Sequence, residues 1–271
     1  MQNRITKRFE KLKAEKRSGF IPFIVAGDPD LETTEKMLLE IAKRGADVIE
    51  LGVPFSDPVA DGVTIQASGE RALRNKFGVA EILKIVGEVR NKGCQTPIIL
   101  FSYFNPILQF GLEKFAENAV KNGVDGILVT DLIPEEAGEF QTILAAKNLS
   151  LIMLAAPTSS DKRLEKICEK ASGFVYAVSR SGVTGARTEL SNDAKKLVER
   201  LRNFTGLPIA VGFGISNSKQ VADTQNYADA AVVGSAIVAE IMKLSPEPDQ
   251  VPDDFIEKIG AFMESLLPEK N

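Results

Sequence analysis

Glu50 sits inside the run DVIELGVP (47–54), an acidic side chain in an otherwise apolar segment. Read as a strand, the run alternates its faces, so Glu50 shares a side with Val48 and Gly52. Apolar surroundings disfavour the charged form of a carboxyl group and raise its pKa. A group so placed can give up a proton near neutral pH and then take one back. The other reading is a structural glutamate tied to backbone N–H groups or to an arginine. Asp61 follows in VADG, and Asp57 in FSDP, where Asp before Pro suits a turn or a helix cap. These carboxylates matter the more because the chain contains no histidine. That excludes Ser-His-Asp and Cys-His triads, imidazole bases and histidine-bound zinc or non-haem iron. No lysine falls in the strand-like runs, which argues against a Schiff-base aldolase.

The elements that must hold these residues form a repeating pattern. Apolar runs rich in Val, Ile and Phe recur as FIPFIVAG (20–27), DVIELGVP (47–54), PIILFSY (97–103), DGILVTD (125–131), SLIMLAAP (150–157), FVYAVSR (174–180), PIAVGFG (208–214) and DAAVVGS (229–235). Amphipathic stretches lie between them, such as 32–45, 79–93, 112–123 and 192–204, several ending in a basic residue and then Gly or Asn, as helix C-termini do. Near-continuous apolar strands need cover on both faces, and alternating helices supply it. Eight such units predict an α/β fold, the (β/α)8 TIM barrel, with a doubly wound open sheet as the alternative. The start, MQNRITKRFEKLKAEKR, reads as an extra N-terminal helix with Ile5, Phe9 and Leu12 on one face, and Asp253–Leu267 as a C-terminal helical tail. No linker divides the chain, so residues 1–271 are expected to form a single TIM-barrel domain. Most repeats take about 21–28 residues, but about 50 separate the second and third strands and about 34 the sixth and seventh. In this fold the segments after strands build the active face. The surplus loops 54–69 and 181–190 are therefore the expected lids of a site.

Two glycine-bearing strand ends, GFGIS (212–216) and GSA (234–236), close the seventh and eighth runs. In a barrel these positions commonly hold a phosphate, because glycine lets backbone N–H groups approach the oxygens and a helix N-terminus favours an anion. Gly214, Gly234 and Ser235 are expected to bind it, with Gly185 closing the cup. Tyr176 shares strand parity with Phe174 and Val178 and is either a pocket wall or a core aromatic. Phe23, Phe101 and Phe213 could line a pocket for a planar ligand or simply pack the core. Thr130 and Asp131 end the fourth strand at the pocket rim, where Asp131 is better suited to holding loop backbone than to touching substrate.

Composition bounds the rest. The 271 residues are 44% hydrophobic and 26% charged, with a net charge of −4 and a pI near 5.2, so no broad basic surface for a nucleic acid is expected. Cys94 and Cys168 lie far apart without a CxxC motif, which fits a reducing cytoplasm. No run of 18 apolar residues occurs and the first residues lack an apolar stretch, so neither a membrane span nor a signal peptide is expected.

The segments IPFIVAGDPD (21–30), GADVIELGVPFSDPVADGVTIQ (45–66), SYFNPIL (102–108), GILVTDL (126–132), FVYAVSRSGVTGAR (174–187), VGFGIS (211–216) and VVGSAIV (232–238) are specific together. Over nearly its full length the chain resembles the α subunit of tryptophan synthase. The resemblance implies a TIM barrel that cleaves indole-3-glycerol phosphate to indole and glyceraldehyde 3-phosphate, without metal or cofactor of its own. It implies an α2β2 heterotetramer in which a β subunit, carrying pyridoxal phosphate, receives the indole. The family's catalytic glutamate and aspartate match Glu50 and Asp61. Its substrate pocket matches Phe23, Ile65, Phe101, Leu128, Thr130, Tyr176, Thr184, Phe213 and Val232, and its phosphate site Gly185, Gly214, Gly234 and Ser235. Departures from the commoner family pattern, at Phe101, Ala177 and Ile133, touch the pocket edge and a loop and bear on affinity. Two other functions remain as alternatives: a non-catalytic α-like activator of a β subunit, or another phosphate-binding barrel such as an isomerase.

Overall fold

The computed structural model describes residues 3–179, 192–212, 214–248 and 250–268. The first half of the chain runs α1 (Arg4–Ala14), β1 (Gly19–Val25), α2 (Leu31–Lys43), β2 (Ile49–Gly52), α3 (Val63–Leu73), α4 (Val79–Asn91), β3 (Ile98–Ser102), α5 (Phe104–Phe110), α6 (Leu112–Lys121) and β4 (Gly126–Val129). The second half runs α7 (Gly138–Ala146), β5 (Ser150–Ala155), α8 (Asp161–Lys170), β6 (Val175–Val178), α9 (Asn192–Leu201), β7 (Ile209–Gly212), α10 (Ser218–Gln225), β8 (Ala230–Val233), α11 (Ser235–Leu244) and α12 (Phe255–Leu266). The eight strands pair in parallel, each with the next, and β1 pairs with β8 to close the barrel. All eight expected strands are present, and the closed sheet rules out the doubly wound alternative.

Strand residues are buried on both faces, so the chain has two concentric cores. Outward residues such as Phe20, Ile24, Ile49 and Leu51 pack under the helices. Inward ones, among them Ile21, Phe23, Val48, Ile99 and Leu128, fill the barrel. The N-terminal end of the barrel is plugged by α1. Asn3 caps this helix by accepting a hydrogen bond from the Ile5 amide at 2.8 Å, and Ile5, Phe9 and Leu12 enter the inner core, as their spacing predicts. Burying three such side chains contributes roughly 1.5–3 kcal/mol each before entropy is counted. At the other terminus α12 lies against α2, with Arg44 Nη1 donating to Glu264 at 2.8 Å.

The long segment after β2 differs from its expectation. Residues 54–69 are a loop only as far as Gly62, which stands at the N-cap of α3. Ser, Thr and Gly make VTIQASG look loop-like. However, Ile65 and Ala72 turn one face of the helix into the inner core, and that packing overrides weak propensity. Residues 181–190, expected as the second lid, lie outside the described residues.

Candidate active site

Five charged side chains are fully buried among the described residues: Asp28, Asp47, Glu50, Arg71 and Asp125. The three aspartates are all paired. Arg17 donates twice to Asp47, at 2.8 and 2.7 Å, and the Phe20 amide bonds it as well. Arg4 and Arg90 hold Asp125 at 2.9 and 2.8 Å, and Arg71 holds Asp28 at 2.9 Å. Glu50 differs. It stands on β2 between Phe23 and Ile99 in register, 1% exposed, facing the barrel interior. Its Oε1 has no hydrogen-bond partner among the described residues. Among the described residues no arginine and no backbone amide offsets its burial, and desolvation pushes its pKa up to about 8. Among the described residues no cation or backbone group is seen to tie this carboxyl group down, as the structural reading of it would require.

Asp61 comes from the loop between β2 and α3, folded over the C-terminal end of the barrel. Its backbone is held in a turn, with its N–H donating to Pro58 O at 3.0 Å, and Gln66 Nε2 donating to Asp61 O at 2.9 Å. Burial raises the Asp61 carboxyl to about 6, and a hydrogen bond from Tyr103 works against that rise. Tyr103 stands one residue past β3, 3% exposed. Its hydroxyl accepts from the Ala60 amide at 2.9 Å while bonding the Asp61 carboxylate. Burial and the nearby Asp61 charge lift its own pKa to about 12, so it remains a donor. Thr130 reaches the same hydroxyl from beyond β4. One tyrosine thereby fixes both the loop and its carboxylate.

A single cavity brings together Glu50, Asp61, Phe23, Ile65, Phe101, Tyr176, Val232, Gly214, Gly234 and Ser235, with Gly62 in addition. Phe23 and Phe101 meet edge to face, centroids 5.2 Å apart. The Phe23 ring lies so close to Gly52 that a Cβ there would come within 2.7 Å of it, which accounts for the glycine that follows Glu50-Leu51. Tyr176 is buried, and both desolvation and the neighbouring Glu50 hold its hydroxyl protonated. At the far end Gly234 is the N-cap of α11 and Ser235 its first residue. The first-turn amides of a helix have no intrahelical acceptor and point to an incoming anion. Gly214 has φ of 88°, a left-handed conformation that favours glycine.

Two expected pocket residues stand behind this cavity. Leu128 is fully buried in the inner core beside Phe101, its register partner, and Thr130 supports Tyr103. Thr184, Gly185 and Phe213 lie outside the described residues. Asp57 and Asp131 act as read from sequence: Asp57 O accepts the Val59 amide at 2.9 Å in a turn, and Asp131 Oδ1 accepts the first amide of α5, Phe104, at 2.7 Å. Tyr103 was not singled out from the sequence. Its signal was a lone tyrosine directly after a strand on the active face.

A larger cleft opens at the opposite, N-terminal end, lined by Arg4, Lys7, Arg8, Lys11 and Lys147. Four of these cations already pair, with Asp125 at 2.9 Å, Asp47 at 3.5 Å, Glu15 at 3.7 Å and Glu117 at 3.3 Å. It shares no residue with the carboxylate cavity. Among the described residues no three Cys, Asp or Glu side chains gather into a metal-holding group, and no helix is long and apolar enough to cross a membrane.

Fold and cavity together define a (β/α)8 barrel that gathers two carboxyl groups, Glu50 and Asp61, and the N-terminus of α11 around one cavity. A family model described as tryptophan synthase alpha chain matches residues 9–266. Tryptophan synthase alpha chains of Caulobacter sp. (strain K31) and Geotalea daltonii are 50% and 49% identical, covering 98% and 89% of this chain and 96% and 91% of their own. A crystal structure of tryptophan synthase subunit alpha from Legionella pneumophila superposes with a TM-score of 0.89 at 37% identity, covering 98% of this chain and 97% of its own. A Mycobacterium tuberculosis tryptophan synthase structure gives 0.88 at 33%, with the same coverage. The chain belongs to the tryptophan synthase alpha chain family.

Proposed function

We infer that this chain is a carbon–carbon lyase that cleaves indole-3-glycerol phosphate to indole and glyceraldehyde 3-phosphate in tryptophan biosynthesis. One observation carries the reading: a buried Glu50 and a half-buried Asp61 share one cavity beside a helix N-terminus, and burial pushes their pKa values up to about 8 and about 6. At pH 7 Glu50 keeps its proton and Asp61 has lost its own. Glu50 protonates indole C3, and the positive charge that appears on the ring nitrogen is stabilised by the Asp61 carboxylate. The Glu50 carboxylate then removes the proton of the glyceryl hydroxyl next to the ring. The carbon–carbon electrons return to the indolenine as the aldehyde forms, and Glu50 is protonated again. Phe23, Phe101, Ile65, Tyr176 and Val232 enclose the indole and its chain, and Gly214, Gly234 and Ser235 hold the phosphate, with Gly185 and Thr184 completing the pocket. The presence of both carboxyl groups disfavours a non-catalytic activator, and the Phe23, Ile65, Phe101, Tyr176 and Val232 side chains that line their cavity disfavour a sugar-phosphate isomerase.

The chemistry needs no cofactor in this chain. The partner is a β subunit that carries pyridoxal phosphate and receives indole, in an α2β2 assembly in the cytoplasm, with residues 1–271 as one domain. The exposed apolar side chains Val59, Val63, Leu108 and Ile133 support this docking. They follow β2, β3 and β4, and so share the C-terminal face with the site.

Indole release by the purified chain across pH tests the function. The profile of kcat/KM is expected to rise through about pH 6 as Asp61 ionises and to fall through about pH 8 as Glu50 loses its proton. No indole at any pH, with or without a β subunit, overturns the reading. Tyr103→Phe removes the donor that favours the Asp61 carboxylate. Its rising limb should therefore move to higher pH, with a loss of about two- to tenfold at pH 6.5. An unmoved limb would show that Tyr103 does not act on Asp61.

A further inference from the structure

The two ends of the cavity belong to two helices. Asp61 and Gly62 precede α3, and Ile65 lies in its first turn, whereas Gly234 and Ser235 begin α11. The helices pack against each other, and Ala72 of α3 and Val238 of α11 share the inner core. Away from the cavity they are joined by polar contacts. Arg71 of α3 is buried, and its three donor groups point three ways: Nε to Asp28 Oδ1 at 2.9 Å, Nη2 to Ser245 O at 2.6 Å and Nη1 to Pro246 O at 3.2 Å. Ser245 is the C-cap of α11. Asp28, in the loop after β1, also accepts from the Ser68 hydroxyl one turn earlier on α3. Asn75, just past α3, donates to Gly27 O at 3.1 Å and Pro29 O at 2.8 Å on the same loop.

A buried ion pair is poor value for stability, because removing both charges from water offsets most of their attraction. What this one supplies is geometry. A guanidinium presents its donors in a rigid plane, so a single side chain fixes the C-terminal half of α3 to the β1 loop and to the end of α11 at once. The ten residues of α11 then carry that constraint about 15 Å along a stiff rod to Ser235. The eleven residues of α3 carry it back to Asp61 in the same way.

We propose that Asp28 and Arg71 are positioning residues that set the separation between the carboxylate end and the phosphate end of the site, so that one substrate molecule meets both together. The proposal rests on reading those ends as halves of a single site for indole-3-glycerol phosphate. It requires that loosening the bracket harm a ligand spanning both ends more than a ligand filling one, since a displacement of about 1 Å can cost 10²-fold when two ends must be satisfied together.

The test uses Arg71→Lys, which keeps a charge opposite Asp28 but not the fork to the two carbonyls, and Arg71→Met, which keeps neither. Steady-state cleavage of indole-3-glycerol phosphate is compared with separate calorimetric affinities for glycerol 3-phosphate and indole. We expect kcat/KM to fall at least tenfold in Arg71→Met and less in Arg71→Lys, with each fragment affinity changed less than threefold. Hydrogen exchange well below the melting temperature should show residues 61–66 and 234–238 losing protection together. This last measurement decides the proposal even if the wild-type chain releases no indole. A lowered melting temperature with unchanged kcat/KM overturns it. So does equal loss of fragments and whole substrate, or exchange changes confined to residues 68–75 and 243–248. Should the Arg71 variants fail to fold, Asn75→Ala, which removes only the outer bonds, is read by the same criteria.

Discussion

Glu50→Gln is expected to lower kcat/KM for indole release by about three orders of magnitude and, at the same time, to make the fold more stable. The loss follows from the double duty of one carboxyl group. A positioned acid or base is worth about 10²–10⁴-fold, and here the same group both delivers and removes a proton. Glutamine has nearly the same shape and can do neither. The gain follows from the cost of keeping Glu50 buried. Its folded pKa, about 8, lies above the ordinary 4.5, so between those values the native chain retains a proton that the unfolded chain has released. Stability therefore falls as pH rises across that window, and the full penalty is present above pH 8. At pH 7 the penalty is on the order of 3 kcal/mol. Glutamine does not titrate, so urea midpoints of variant and wild type should diverge between pH 5 and pH 8, the variant being the more stable. A parallel offset at every pH, or activity within tenfold of wild type, would refute the assignment.

Period-two alternation put Glu50 on one face with Val48 and Gly52, recurring apolar runs marked all eight strands, and helical spacing put Ile5, Phe9 and Leu12 on one face of α1. These features depend on local periodicity, and burial enforces it. The sequence was less informative wherever position depends on pairing between distant segments. Leu128 points into the barrel as its alternation requires, but alternation says nothing of height along the axis. Leu128 pairs in register with Phe101 and Ile152, yet it is fully buried in the inner core and does not line the cavity that Phe101 borders. Tyr103 acquires its role only because the loop before α3 closes across the end of β3, which brings Ala60 and Asp61 to a hydroxyl more than forty residues away in the chain. The start of α3 at Val63 was hidden for a related reason. Its Ser, Thr and Gly residues favour a loop locally, and a tertiary contact with α11 decides otherwise.

Asp61→Asn is expected to reduce kcat/KM about 10²-fold, less than the loss at Glu50, because the carboxylate stabilises charge rather than carrying a proton between atoms. Removing one preorganised electrostatic partner of a developing charge typically costs 10²–10³-fold, and the half-buried setting of Asp61 limits the water that could substitute for it. The shape of the residual pH profile separates this role from others. Wild type should need Asp61 ionised, giving a limb near pH 6, and Glu50 protonated, giving a limb near pH 8. Asparagine has no proton to lose, so the lower limb should disappear while the upper one stays. Were the lower limb to persist in Asp61→Asn, it would belong to another group. Were full activity to persist, the charge on the ring nitrogen would have to be met by some other part of the cavity, and Tyr103, which orients only Asp61 and its loop, would lose its function with it.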